Sequence, residues 1–150
     1  MNFCIITQAR FNSRRLPGKI FLNYDKENFF SFFLRNLKRV KFTKLIVASP
    51  KDEHSSLISH YCDKLKIPVF FYKGNENNVL ARYYYCAKKF KTQNIIRITS
   101  DCPFINPDIV NKMIEYYKVN NLSFLTNNKP RKIPHGYDCE IFSYDILVES

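Results

Sequence analysis

Residues 8–19 read QARFNSRRLPGK and directly follow residues 3–7, an apolar run that is predicted to be a buried β-strand. In open α/β sheets, ligands bind at the loops that leave the carboxyl ends of the strands. This loop carries four cationic side chains and a hydroxyl donor beside a Pro-Gly turn, namely Arg10, Arg14, Arg15, Lys19 and Ser13. Arginine pairs bidentately with phosphate oxygens, and lysine supplies a compact charge. The stretch therefore predicts either a cradle for a polyphosphate or an ordinary solvated basic loop.

Apolar runs with strand character alternate with helix-like segments along the whole chain. Strands are predicted at residues 3–7, 45–48, 69–72, 94–99, 123–126 and 139–142, and helices at residues 27–41, 52–65, 79–90 and 107–120. Asn78 is placed to cap the third helix and Pro107 to begin the fourth, while residues 142–147 have the pattern of a further helix start. This alternation predicts one α/β domain over residues 1–150, with a mostly parallel sheet covered by helices on both faces.

The composition favours a globular protein that works in the cytoplasm. The chain has 150 residues, with 24 basic and 13 acidic side chains and a net charge of +11. The lysines are scattered over several segments, which indicates solvated faces more than one basic surface. No apolar run approaches the ~18 residues that span a bilayer, so we expect no membrane partner. The five cysteines form no Cys-x-x-Cys pair and are predicted to be core residues.

A second candidate site is Asp101, which lies in the segment RITSDCP of residues 97–103, at the end of a predicted strand. A single carboxylate opposite a basic loop is suited to the Mg²⁺ of a nucleotide, because Mg²⁺ takes one or two carboxylates together with phosphate oxygens and waters. The alternative is an aspartate that only caps the turn before Pro103.

The loop of residues 8–19 lacks the glycine pattern of a P-loop or of a dinucleotide-binding motif. Its pattern Q-A-R-x-x-S-x-R-L-P-G-K resembles instead the signature of the cytidylyltransferases that activate acidic sugars, especially their SpsF-like branch for spore coat polysaccharide. Further segments similar to motifs of this family are residues 97–103, 78–83 (NVLARY) and 136–142 (GYDCEIF). The chain departs from the family pattern at three positions, Arg14, Asn78 and Ser100, where the family has a small polar residue, Asp and Gly.

The resemblance implies a Rossmann-like nucleotide-diphospho-sugar transferase fold and the transfer of CMP from CTP to a small sugar, with release of pyrophosphate. It implies nucleotide binding by Gln8, Ala9, Arg10, Ser13, Arg15, Lys19, Arg82 and Ser100. Of these, Arg10, Arg15 and Lys19 would be the catalytic residues that neutralise the triphosphate, and Asp101 would hold Mg²⁺. Asp138 and Glu140 alternate on a predicted strand, so they would face the same way and bind the sugar.

The resemblance extends over residues 3–147 and covers only the first part of the family's usual domain, so we expect a member that is truncated at its carboxyl end. It implies CTP and a sugar as partners, leaves a homodimer open, and implies no nucleic acid. Three alternatives remain: an inactive or split remnant that only binds nucleotide, a glycosyltransferase of related fold, and a basic nucleic-acid-binding module. The second would need an Asp-x-Asp metal motif, and the third would need exposed aromatic side chains on a basic face.

Overall fold

The computed structural model of the chain describes residues 2–41 and 44–149. Its strands are β1 (Phe3–Gln8), β2 (Asn23–Tyr24), β3 (Glu27–Asn28), β4 (Lys44–Pro50), β5 (Val69–Tyr72), β6 (Asn94–Arg97), β7 (Phe124–Thr126) and β8 (Glu140–Ser143). Its helices are α1 (Phe29–Leu37), α2 (Ser55–Lys64), α3 (Val79–Lys89), α4 (Pro107–Val119) and α5 (Tyr144–Glu149), and a 3₁₀ turn covers Lys19–Phe21.

One twisted sheet organises the chain, with strand order β5-β4-β1-β6-β8-β7. The first four strands in this order run parallel, and β8 runs antiparallel to both of its neighbours. β1 lies between β4 and β6, so that Ile5 is opposite Leu45 on one side and Ile96 on the other. The prediction of a mostly parallel sheet is confirmed.

Helices cover both faces of the sheet. Successive side chains of β1 point to opposite faces, so the two sets of β1 side chains pack against different helices. Phe3 and Ile5 pack against buried residues of α1, α2 and α4. Cys4 and Ile6 pack against buried residues of α3 and α5. A strand that is apolar on every residue is what a sheet buried on both faces requires.

The predicted first helix, residues 27–41, is wrong at both ends, since α1 covers only Phe29–Leu37. Its first two predicted residues instead pair with Asn23 and Tyr24 in a short antiparallel hairpin. The side chain of Asn28 then accepts a hydrogen bond from the backbone N–H of Ser31 at 2.8 Å and so caps the helix. The other predicted helices and strands agree with the structure to within three residues at each end.

The five cysteines are free and buried, as predicted. Burial raises the pKa of Cys4 to about 11 and that of Cys62 to about 12, so these thiols stay protonated at neutral pH. Among the residues described, no helix is both long and apolar enough to cross a membrane.

Candidate functional site

A cleft of about 580 Å³ opens at the carboxyl edge of the sheet, between the loops that follow β1 and β6. These two strands are parallel neighbours, so their following loops leave the sheet at the same edge. The cleft is lined by residues of both loops, of the hairpin region and of the segment before β8: Lys19, Ile20, Leu22, Phe29, Ser100, Asp101, Pro103, Phe104, His135, Gly136 and Tyr137. Three predicted site residues, Lys19, Ser100 and Asp101, therefore meet in one cleft.

Lys19 and Asp101 form an ion pair at the cleft, with 3.4 Å between Nζ and Oδ2. Burial raises the pKa of Asp101, but hydrogen bonding by Thr99 and the charge and hydrogen bond of Lys19 together outweigh it, and the net pKa is lowered. The carboxylate is therefore ionised at neutral pH. Its side chain remains 53% exposed, so it is open to a ligand.

The donor chemistry of Asp101 fits Mg²⁺ bound jointly with a phosphate ligand. In residues 2–41 and 44–149, no group of three acidic, histidine or cysteine side chains is arranged to hold a metal ion. A cage made by the protein alone is thus absent from this part of the chain. One exposed carboxylate matches the way Mg²⁺ is held when phosphate oxygens and waters supply the other ligands.

The loop between β1 and the 3₁₀ turn is closed on itself through Phe11. The carbonyl oxygen of Phe11 accepts hydrogen bonds from the N–H groups of Ser13, at 2.9 Å, and Gly18, at 2.8 Å. The Phe11 ring stacks on His54, with 3.8 Å between the centroids. Gly18 has a φ of +69°, and a Cβ there would lie 3.0 Å from the Phe11 ring. Phe11 therefore fixes the shape of the loop that ends at Lys19, and it was not a predicted site residue.

Arg82, for which the resemblance implies nucleotide binding, is completely buried. Its Nη2 donates to the carbonyl oxygen of Glu76, whereas Nε and Nη1 have no hydrogen-bond partner within the described residues. Burial lowers the pKa of Arg82, and the nearby charge of Arg10 lowers it further. A buried guanidinium near a second cation is costly unless an anion joins them. Neither Arg82 nor Arg10 lines the cleft that holds Lys19 and Asp101.

The remaining predicted residues of the first loop lie in different surroundings. Ala9 is buried, and its N–H donates to the carbonyl oxygen of Ala48 at 3.0 Å, which extends the pairing of β1 with β4. Gln8, the last residue of β1, has a buried Oε1 without a partner among the residues described. Ser13 is half-buried, whereas Arg15 is exposed and does not line the cleft with Lys19.

The prediction that Asp138 and Glu140 share one strand face is wrong. β8 begins at Glu140, so Asp138 lies before the strand, and each carboxylate is held by its own arginine. Asp138 accepts two hydrogen bonds from Arg131, at 2.7 and 3.0 Å, and Glu140 accepts one from Arg97 at 2.7 Å. Glu140 lines a different hollow, with Tyr83 and Phe142, whereas Asp138 lies close enough to Asp101 for their charges to interact.

Sequence reasoning missed the apolar side of the cleft, to which Leu22, Phe29 and Phe104 contribute. Phe104 gives a weak signal, since it is a large apolar residue in a loop, outside the periodic pattern of any helix or strand. His135 lines this cleft as well.

The chain matches the family described as cytidylyltransferase over residues 4–137. It is 26% identical to the spore coat polysaccharide biosynthesis protein SpsF of Bacillus subtilis, a match that covers 96% of this chain and 60% of that protein. It is 30% identical to a 3-deoxy-manno-octulosonate cytidylyltransferase of Wigglesworthia glossinidia brevipalpis, over 98% of this chain and 58% of that protein. A solved cytidylyltransferase from Leptospira borgpetersenii aligns with a TM-score of 0.93 and 33% identity, over 99% of this chain and 63% of that one. The chain thus spans between 58% and 63% of the length of these relatives.

Proposed function

Because this chain belongs to the cytidylyltransferase family, we propose that it transfers CMP from CTP to a sugar, with release of pyrophosphate, in the synthesis of a cell-surface polysaccharide. The observation that carries the proposal is the ion pair of Lys19 with Asp101 at the cleft. It sets a cation for phosphate oxygens beside a carboxylate for Mg²⁺, which are the groups that a magnesium nucleotide needs. The function of the SpsF relative in spore coat polysaccharide biosynthesis supports the polysaccharide role.

The reaction forms one bond at phosphorus and breaks another. A hydroxyl oxygen of the sugar attacks the α-phosphorus of CTP, its proton leaves to water, and the bond from that phosphorus to the oxygen it shares with the β-phosphorus breaks. The leaving pyrophosphate keeps that oxygen and its electron pair. Bound Mg²⁺ supplies positive charge to the phosphate oxygens.

The residues of this chain act by position and by charge. Lys19, at the cleft, neutralises charge that grows on the leaving pyrophosphate. Arg10, half-buried on the same loop, offers donors to further phosphate oxygens. Arg82 is completely buried and does not line the cleft, so we assign it a contribution by charge, next to Arg10. Arg15, exposed on the same loop, adds positive charge around the triphosphate.

A second candidate function is nucleotide binding without turnover. It is favoured by one observation, that among the described residues no group of three acidic, histidine or cysteine side chains is arranged around Asp101 to hold a metal ion.

The first test is calorimetric titration of the purified chain with CTP, UTP, GTP and ATP, each with Mg²⁺. We expect saturable binding that prefers CTP and is lost in Lys19→Ala. The matched control is Lys26→Ala, which removes an exposed lysine from the tip of the β2–β3 hairpin and should bind CTP like the wild type. If a folded chain binds none of the four nucleotides, the proposal is wrong.

Release of pyrophosphate on addition of sugars, measured in the same preparation, separates the two candidates. Turnover that depends on Mg²⁺ and on an added sugar supports the transferase. Binding of CTP without turnover supports the second candidate.

A further inference from the structure

One side of the cleft is a continuous apolar surface, which faces the charged side that holds Lys19 and Asp101. We call it the aromatic wall, a cluster of the four rings of Tyr24, Phe29, Phe32 and Phe104, of which Phe29 and Phe104 line the cleft together with Leu22. Phe104 is 48% exposed and Leu22 47% exposed, so both present apolar surface to the cleft. The side chains of Phe29, Phe104 and Leu22 contain no hydrogen-bonding atom.

The ring of Phe104 is held in place by the three other rings of the wall. It packs edge-on against Tyr24, with 5.4 Å between centroids, and against Phe29, with 6.2 Å. It also contacts Phe32 at 5.4 Å, and Tyr24 stacks on Phe29 at 5.2 Å. Such edge-to-face and offset packing is favourable for aromatic pairs. The exposed face of Phe104 is therefore fixed before a ligand arrives.

The backbone that carries Phe104 is fixed as well. The side-chain amide of Asn36, in α1, donates to the carbonyl oxygen of Ile105 and, at 3.5 Å, to that of Pro103. Phe104 is thus tied to the helix on both of its sides. Because Asp101 lies three residues earlier in the same loop, a ligand that contacts Phe104 lies beside the groups proposed to hold the triphosphate.

This arrangement selects against hydroxyl groups on one edge of the acceptor. A hydroxyl placed on the wall would lose water without gaining a hydrogen bond, and that loss is unfavourable. A methyl group placed there gains by burial. We propose that the acceptor is a sugar that bears a methyl-terminated substituent, such as a deoxygenated terminal carbon, and that Phe104 is the residue that reads this substituent. The proposal rests on the function proposed above and names the acceptor class of the same site.

The test compares sugars that differ by one oxygen atom: L-rhamnose with L-mannose, and L-fucose with L-galactose. Saturation-transfer NMR is recorded on the full chain with Mg²⁺ and the unreactive α,β-methylene analogue of CTP. We expect the methyl-bearing member of at least one pair to bind about fourfold more tightly, the factor for burial of one methyl group. Its methyl protons should receive the strongest saturation.

Phe104→Ala should abolish this preference without changing binding of the CTP analogue, and Phe104→Leu should retain part of it. The matched control is Phe124→Ala, since Phe124 is also 48% exposed but lines a different hollow. This control should keep the wild-type preference.

The proposal is overturned if neither pair shows a preference, if no sugar of the four binds, or if the preference survives Phe104→Ala. Each of these results with intact binding of the CTP analogue overturns this inference alone. Loss of binding of the analogue to the wild-type chain overturns the proposed function and, with it, this inference.

Discussion

The ammonium group of Lys19 lies 3.4 Å from a carboxylate oxygen of Asp101, a residue 82 positions further along the chain. Each of these charges neutralises the other while no ligand is bound. A triphosphate attracts Lys19 and repels Asp101, and a divalent cation does the opposite. The two ligands therefore compete with the ion pair when they bind singly and relieve both charges when they bind together.

This relationship predicts that Asp101→Asn changes the affinity for CTP in opposite directions with and without metal. We expect the variant to lose the gain in CTP affinity that Mg²⁺ gives the wild type. Without metal the variant should bind CTP roughly fivefold more tightly. Removing a negative charge about 4 Å from a phosphate relieves about 1 kcal/mol of repulsion in water. Calorimetric titration with Mg²⁺ and with a chelator measures both effects. Asp63→Asn, which changes an exposed aspartate of α2, should behave like the wild type, and equal metal dependence in both variants would contradict the prediction.

The contacts between Phe11 and Gly18 predict that substitutions of these two residues have coupled effects on the free energy of unfolding. We expect Gly18→Ala to lower the free energy of unfolding by about 1–2 kcal/mol, since an alanine at φ +69° is strained and its Cβ meets the Phe11 ring. In a Phe11→Ala background, Gly18→Ala should lower the free energy of unfolding by less, because the Cβ at position 18 no longer meets a ring. Urea unfolding of the four proteins measures the coupling. Equal costs in both backgrounds would show that the ring does not constrain the loop.

Burial of Arg82 predicts that this residue serves binding at the expense of stability. We expect Arg82→Met to raise the free energy of unfolding by about 1 kcal/mol, because a well-packed apolar side chain replaces a buried charge with unsatisfied donors. The same variant should bind CTP more weakly than the wild type. Chemical denaturation and calorimetry measure the two effects. A destabilised Arg82→Met would mean that the guanidinium is well compensated in the ligand-free chain.

The ion pair of Asp138 with Arg131 predicts that the wild type and Asp138→Asn differ in stability by an amount that depends on pH. Hydrogen bonding by Arg131 is the main reason why the pKa of Asp138 lies below its ordinary value of 3.8. A lowered pKa in the folded state stabilises the fold above the unfolded-state pKa. We expect the wild type to melt at a higher temperature than Asp138→Asn at pH 7. The difference should shrink as the pH falls through 3.8 and disappear below the lowered pKa.

Melting curves between pH 2 and pH 7 test this prediction. In an Arg131→Gln background, Asp138→Asn should change the melting temperature by nearly the same small amount at every pH. A difference that stays constant across the range would show that the aspartate contributes by packing and not by charge.

Periodicity in the sequence was enough to predict the layered α/β fold, because each predicted strand and helix repeats its pattern over several residues. The caps were predictable too, since Asn78 accepts from the N–H of Ala81 and Pro107 begins α4. The β2–β3 hairpin was not, because strands of two residues have no alternation to detect. The resemblance to cytidylyltransferases is confirmed by the match over residues 4–137.

The candidate site was predictable only for those of its residues that belong to recognisable sequence motifs. Lys19 and Asp101 were both named from the sequence, and the parallel pairing of β1 with β6 explains why their loops meet. Burial of Arg82 was not foreseeable, because a lone arginine on an amphipathic helix usually faces solvent. The wall around Phe104 depends on contacts between segments that are distant in sequence, which no local pattern contains.

The central place of β1 in the sheet has a consequence for how the chain is made. β1 is bordered by β4 and by β6, which ends at Arg97. On the ribosome, a nascent chain can pair β1 on its second side only after β6 has left the exit tunnel. The cationic loop that follows β1 is synthesised early, but its partner Asp101 is added much later. The cleft therefore cannot form until Asp101 has been synthesised and β6 has paired with β1.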